Sequence, residues 1–313
     1  MSANYTREPT VIIPYPGPCS DGECQDVFVV LRPEANGVMV ESTLLKVVNN
    51  HPDYKNNIRF IYLANIPGDF IVKNRIVEHH YIDKLYFCTK EKRAFTPGMK
   101  KKFEDYFHLS FEQAYVIGAF TAMKELGMSY NELFNLRVSS CDMVEINGQN
   151  VKKYGKTFII NYDIPAILHK NNNRTDIAVM IFRTQLNYPS IHQLIGEMGR
   201  ALIEADILDP EKPLSRIFHY SKGPFGQIRD AIGYLYNDKN EHLPLQAMTF
   251  SNFLIKKGIS VKQIMGIINN PIMQFITPNG DIIEENLFVY TKDDTFASSH
   301  AKLTGALCQF ILR

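Results

Sequence analysis

The sequence predicts an α/β or α+β protein made of two sheet-plus-helix units. Three observations predict it. Short apolar runs rich in β-branched residues, such as Val27-Phe28-Val29-Val30-Leu31, read as buried strands. Segments with apolar residues at helical spacing, such as Val38 to Val48, alternate with those runs in both halves. The composition, 45% hydrophobic and 12% aromatic over 313 residues, is ample for packed cores and far from that of a disordered chain.

Pro14, Pro16, Gly17 and Pro18 break regular structure at the start, so residues 1–25 read as an extended N-terminal segment. The strand at 27–31 ends in the turn Arg32-Pro33-Glu34-Ala35-Asn36-Gly37, and the helix that follows stops at Asn49-Asn50. Ile58 to Leu63 is a second strand, stopped by Asn65-Ile66-Pro67-Gly68. Asp69 is then placed to cap a helix running towards Tyr86. Another helix begins near Pro97. Residues 114–120 fit either a strand or the first turns of a helix, and 130–137 look helical. Asn147-Gly148 between two short runs is the best hairpin signal in the chain, and the boundary between domains 26–140 and 141–313 is drawn just before that hairpin. The second domain reads strand 157–162, polar loop, strand 177–183, helix 190–205, strand 216–220 and helix 224–236. Helices over 247–269, broken at Gly258, come next. A strand pair at 272–276 and 286–291 and a final helix over 298–312 complete the chain.

Charge and cysteine content limit the function classes. Lys plus Arg (34) balances Asp plus Glu (33), so no broad nucleic-acid footprint is expected. No run approaches the length of a membrane span, and no membrane partner is expected. The N-terminus lacks the apolar core of a signal peptide, and five scattered cysteines are read as free thiols. Together these suggest a soluble, reduced, cytoplasmic protein. Cys19-Ser-Asp-Gly-Glu-Cys24 lacks a second pair of zinc ligands, and the adjacent His79 and His80 point about 100° apart on a helix, so no metal site is expected. There is no Gly-x-Ser-x-Gly elbow and no Gly-x-Gly-x-x-Gly fingerprint, and no cofactor can be named.

Two constellations remain. The first is the polar island His169-Lys170-Asn171-Asn172-Asn173-Arg174-Thr175-Asp176 between two apolar runs. Eight consecutive polar residues belong at the mouth of a sheet, where α/β proteins hold their ligands. Lys170 and Arg174 can hold an anion, and His169, Asp163 and Asp176 are the candidate catalytic groups. Tyr162 and Arg183 flank the island as binding residues. The competing reading is a solvated hairpin tip, with Asn171 to Asn173 supplying positive φ. The second constellation is the turn His219-Tyr220-Ser221-Lys222-Gly223 before Pro224, a strand-to-helix junction. Free first-turn amides and Lys222 suit a phosphate or carboxylate there; otherwise it is an ordinary connection with Ser221 as the cap.

Several motifs in residues 26–136 carry a resemblance to a known family. The first strand ends in Arg32-Pro33-Glu34. Glu78-His79-His80-Tyr81 is followed by Phe95-Thr96-Pro97-Gly98, and Val116-Ile117-Gly118 follows those. This order resembles the nucleoside diphosphate kinase family, which has a Lys-Pro-Asp turn, a His-Tyr and Phe-Phe-Pro-Gly segment, and a further strand. The resemblance implies a ferredoxin-like topology for the first domain, with the strand at 27–31 central between antiparallel neighbours. The family's lysine is an arginine here and its phospho-accepting His-Gly-Ser-Asp signature is missing, so topology is implied more than kinase activity.

The resulting expectation is a protein that binds a phosphorylated small molecule or nucleotide at loops 162–176 and 219–226, with phosphoryl transfer or hydrolysis as its chemistry. The alternative is a non-catalytic interaction or scaffold protein, a homodimer, for which 16 Tyr and 20 Phe supply interface side chains.

Overall fold

The computed structural model describes residues 6–20 and 24–312. The strands of the described residues are β1 (Thr10–Ile13), β2 (Gln25–Leu31), β3 (Ile58–Ile66), β4 (Tyr115–Gly118), β5 (Met143–Ile146) and β6 (Gln149–Tyr154). They continue with β7 (Thr157–Ile160), β8 (Ile177–Thr184), β9 (Phe218–Tyr220), β10 (Ile272–Ile276), β11 (Ile282–Asn286) and β12 (Ala306–Gln309). Helices and strands mix in three sheets, as the α+β expectation requires. The chain forms two compact units, and neither is a continuous stretch. Unit 1 comprises residues 1–76, 171–265 and 291–300; unit 2 comprises 77–170, 266–290 and 301–313. The boundary expected at 140 therefore falls inside unit 2.

Unit 1 is built on a five-stranded antiparallel sheet in the order β1-β3-β8-β2-β9. The apolar run of β2 is buried along its whole length because it lies inside this sheet, paired with β8 on one side and β9 on the other. The antiparallel neighbours are as expected, but both come from the second half of the sequence. One face is covered by helices Val38–Asn50 and Tyr188–Glu204, which contribute Val40, Leu44 and Val48, and Ile191, Leu194, Met198 and Leu202, to one core. Those spacings put each set on a single helical stripe. The longer helix is started by Asn187, whose side chain accepts from the Ser190 amide, with Pro189 in its first turn. Further along the chain, Phe225 and Phe250 meet edge to face at 5.0 Å between helices Pro224–Ala231 and Thr249–Lys256.

Unit 2 holds a four-stranded sheet, β4-β7-β6-β5, and a three-stranded antiparallel sheet, β11-β10-β12. The Asn147-Gly148 hairpin forms as its dipeptide predicts: both residues have positive φ (46° and 79°), and Ile146 pairs with Gln149. The ambiguous segment 114–120 resolves as strand β4 followed by helix Ala119–Leu126. Beside β4, β7 runs parallel. A core of phenylalanines (Phe87, Phe95, Phe103, Phe111, Phe158) packs on one face of this sheet, and Ile117, Ala122, Leu133, Ile159 and Ile164 pack on the other.

Several expected elements differ. The segment from Asp69 to Tyr86 is three short helices, Gly68–Lys73, Ile76–His80 and Ile82–Lys90. Asp69 caps none of them, because its carboxylate is taken by Arg7. Strands β7 and β8 do not bracket a hairpin: they lie in different sheets, and the start of the polar island is the end of helix Ile164–Lys170. The strand expected at 286–291 is β11, four residues earlier, followed by a helical turn at Leu287–Tyr290. The final helix stops at Thr304 because the chain returns as β12 to pair with β10. Strands from 26–140 do not make a sheet of their own: β2 and β3 belong to one sheet and β4 to another. Cys19 and Cys24, expected as free thiols, are joined in a disulfide, whereas Cys88, Cys141 and Cys308 are free. Among the described residues, no helix is long and apolar enough to cross a membrane.

Candidate functional site

A cluster of perturbed polar groups lies in unit 2, where the parallel strands β4 and β7 end side by side, Gly118 opposite Ile160. Carboxyl ends of parallel strands are where open sheets leave a crevice. The chain leaves β7 through Asn161, which is fully buried and adopts positive φ (51°), a conformation asparagine tolerates better than most side chains. Its side chain justifies the conformation. Oδ1 accepts from the Asn150 amide at 3.0 Å, and Nδ2 donates to Gln149 Oε1 at 2.8 Å and to the Lys84 carbonyl at 3.0 Å. This reversal delivers Tyr162 and Asp163 just before helix Ile164–Lys170.

Asp163 is the hub. Its Oδ2 accepts from Lys84 Nζ and from Asn150 Nδ2, both at 3.3 Å. Its Oδ1 is buried and has no hydrogen-bond partner. Such an orphaned acceptor costs about 1–3 kcal/mol, and more when charged, unless a donor reaches it. Lys152 completes the cluster. Strand alternation puts it opposite Ile159, on the face covered by helices, and it is only 3% exposed. Its ammonium donates to the Leu136 carbonyl at 2.7 Å and stands 3.7 Å from the centre of the Tyr162 ring, a close cation–π contact. It forms no salt bridge among the described residues. Lysines are almost never buried without a carboxylate partner.

The titration of these groups follows from burial. Desolvation pushes the Lys152 ammonium below the usual lysine value, and Asp163 offsets only part of that. For Lys84 desolvation is the largest influence and lowers the value, but Asp163, Tyr81 and Asp83 together outweigh it and the net shift is upward. Burial, then Asp163, raises the Tyr162 phenol. Burial pushes the Cys88 thiol up to about 12, so this neighbour is not a nucleophile at neutral pH. One carboxylate, paired with Lys84, thus lies in the field of a second ammonium that has no carboxylate partner of its own among the described residues, and the Oδ1 of that carboxylate is buried without a donor. The arrangement can neutralise an anion and accept a proton beside it.

Of the residues that the sequence singled out, Tyr162 and Asp163 belong to this cluster, and the others do not. His169 is exposed and stacked on Tyr130, with ring centres 3.7 Å apart, and Lys170 lies over the Phe134 ring. Asp176 belongs to unit 1, where it accepts from Arg7, Asn65 and the Gly68 amide. Arg174, also in unit 1, is exposed, and its backbone amide closes a local turn on Asn172. Arg183 forms an ion pair with Asp26 inside unit 1. His219 bonds Asp230 at 3.0 Å. At the turn, the Ser221 hydroxyl accepts from the Phe28 amide and prolongs the pairing of β9, so it neither caps the helix nor faces solvent. Gly223 is the cap, and a Cβ there would meet the Thr291 carbonyl at 2.8 Å. Lys222 is exposed, over the Tyr220 ring.

Lys84 and Lys152 escaped the sequence reading. Lys152 carried one usable signal: with Val151 facing the phenylalanine core, strand alternation turns Lys152 to the opposite covered face. Lys84 carried none. Comparison of the chain with family models, with curated proteins and with solved structures finds no match.

Proposed function

We propose that the chain binds a small phosphorylated molecule, nucleotides included, at the Lys84–Lys152–Asp163–Tyr162 cluster of unit 2. The observation that supports this most is the buried Lys152 ammonium, which faces a ring and a carbonyl but no carboxylate. With Lys84 already neutralised by Asp163, the cluster has one uncompensated positive charge, which an anionic ligand would balance. Asp163 Oδ1, buried and lacking a donor, would accept a hydroxyl proton of the ligand or of an attacking water brought into the cluster, and phosphoryl transfer or hydrolysis is the chemistry such a group serves.

The test is a thermal-shift and calorimetric screen with inorganic phosphate, nucleotides and sugar phosphates, since binding to the native state raises apparent stability. The wild type is expected to be stabilised by at least one of them. Lys152→Met should lose the effect with its circular dichroism unchanged, while Lys222→Glu in unit 1 should keep it. Binding that survives Lys152→Met, or no stabilisation by any of these anions, removes the reading.

A further inference from the structure

Unit 1 contains a second chemical constellation, which owes nothing to the cluster above. His192, on helix Tyr188–Glu204, is held at both ring nitrogens: Nε2 lies 2.8 Å from Asp293 Oδ1 and Nδ1 lies 3.0 Å from the Tyr220 hydroxyl at the end of β9. All three remain open to solvent, with about a third of the His192 and Asp293 side chains exposed. Asp293 reaches the imidazole from a left-handed backbone conformation (φ 62°), and its amide donates to the Lys222 carbonyl at 2.8 Å. The close approach of the 291–293 segment to the turn depends on Gly223, where a Cβ would collide with the Thr291 carbonyl. Strained backbone that persists only because its surroundings hold it is a mark of functional positions. Lys222 Nζ lies 5.7 Å from the centre of the Tyr220 ring.

A carboxylate on one imidazole nitrogen fixes the tautomer, so the other nitrogen is a bare acceptor aimed at the hydroxyl. That is the arrangement by which a hydroxyl nucleophile is activated. Burial and Asp293 both raise the Tyr220 phenol, so it keeps its proton at neutral pH and depends on His192 to remove it.

We propose that Tyr220, His192 and Asp293 form a nucleophilic site that accepts an acyl group from an activated carboxylic ester. Tyr220 Oη attacks the carbonyl carbon, and its proton passes to His192 Nδ1. The bond from that carbon to the leaving alkoxide oxygen breaks, and His192 returns the proton to the departing alcohol, leaving an acyl-tyrosine. Lys222, whose Nζ lies 5.7 Å from the centre of the Tyr220 ring, would supply positive charge for the oxyanion formed on the way.

The experiment treats the full chain with 4-nitrophenyl acetate and follows acetylation residue by residue by peptide mass spectrometry. Tyr220 should be acetylated at least tenfold faster than the exposed Tyr115 and Tyr154, which serve as internal references. Asp293→Asn and His192→Gln should each reduce Tyr220 labelling to the reference rate, with unchanged circular dichroism and unchanged labelling of the references. Labelling of Tyr220 no faster than the references, labelling confined to His192, or full labelling in both variants would each overturn the proposal. These outcomes are independent of the Lys152 experiment, because Tyr220, His192, Asp293 and Lys222 all belong to unit 1 and none of them is in the Lys152 cluster.

Discussion

Each unit contains an ion pair withdrawn from solvent, nearly buried in unit 1 and partly buried in unit 2, and the two are finished to different degrees. In unit 1 the Asp26 and Arg183 side chains are 4% and 10% exposed, and every oxygen of the carboxylate is used. Arg183 donates to both oxygens, at 2.7 and 2.9 Å, and Oδ2 also accepts from Tyr15 and Thr249. The guanidinium further donates to the Gly17 carbonyl, so the pair fastens the N-terminal segment onto the sheet. In unit 2, Asp163 leaves one oxygen without a donor, and Lys152 has no carboxylate. A network satisfied by the protein's own groups is complete as architecture. The unit 2 network leaves a buried acceptor and a buried ammonium without charged partners of their own, and that is the difference on which the proposed binding site rests.

The sharpest way to break this comparison is to cut both pairs and compare the losses. Asp26→Asn or Arg183→Met should destabilise the fold by about 3–5 kcal/mol, because each strands a charge in a dry network. Denaturant unfolding measures this directly. A loss under about 1 kcal/mol would show that the unit 1 network is not architectural.

Next in size is Lys152→Met. Replacing an ammonium that has no carboxylate partner with an apolar side chain of similar volume removes its desolvation penalty. Stability is therefore expected to hold or rise, even though the bond to the Leu136 carbonyl is lost. A drop as large as that of Asp26→Asn would make Lys152 a structural cation and erase the contrast between the units.

A pH series sharpens the same point. A lysine whose folded value is lowered binds fewer protons in the native state than in the unfolded one, so its penalty is felt while it is charged. The penalty fades as pH rises from the folded value towards 10.5. Wild type should thus gain stability relative to Lys152→Met across that alkaline window; parallel curves would contradict a desolvated Lys152.

The smallest expected effect concerns His242 in unit 1, whose Nε2 accepts from the Gly233 amide at 2.8 Å. Burial lowers its value below 6.5, so the unfolded chain binds the proton more readily. Its contribution is complete above pH 6.5 and is lost as pH falls through the lowered folded value. Melting temperature should decline over that interval in wild type, and His242→Gln should flatten the decline.

Much of the local structure could be read from the chain, because it depends on short-range chemistry. The all-apolar run of β2, the positive-φ demand met by Asn147-Gly148, Thr96-Pro97 at the start of helix Pro97–Phe107 and the break at Gly258 (φ 91°) are each decided within a few residues. The candidate site was half legible. Tyr162 and Asp163 stood out because a polar segment must follow a buried strand, yet the partners assigned to them, His169, Arg174 and Asp176, turned out to bond elsewhere.

What the sequence determined by itself was the class of fold, the identity of most elements and the end of β7 as a place to look. Tertiary structure decided which strands share a sheet, and that reassigned everything else. It placed β7 beside β4 and β8 between β3 and β2, and so divided the polar island between two units. It also turned Lys152 inward opposite Ile159 and brought Lys84 to Asp163 across 79 residues. The physical reason is that strand identity is a matter of local periodicity and propensity. Pairing is decided by which distant apolar faces can be buried together, and nothing in a neighbouring stretch of sequence encodes that choice.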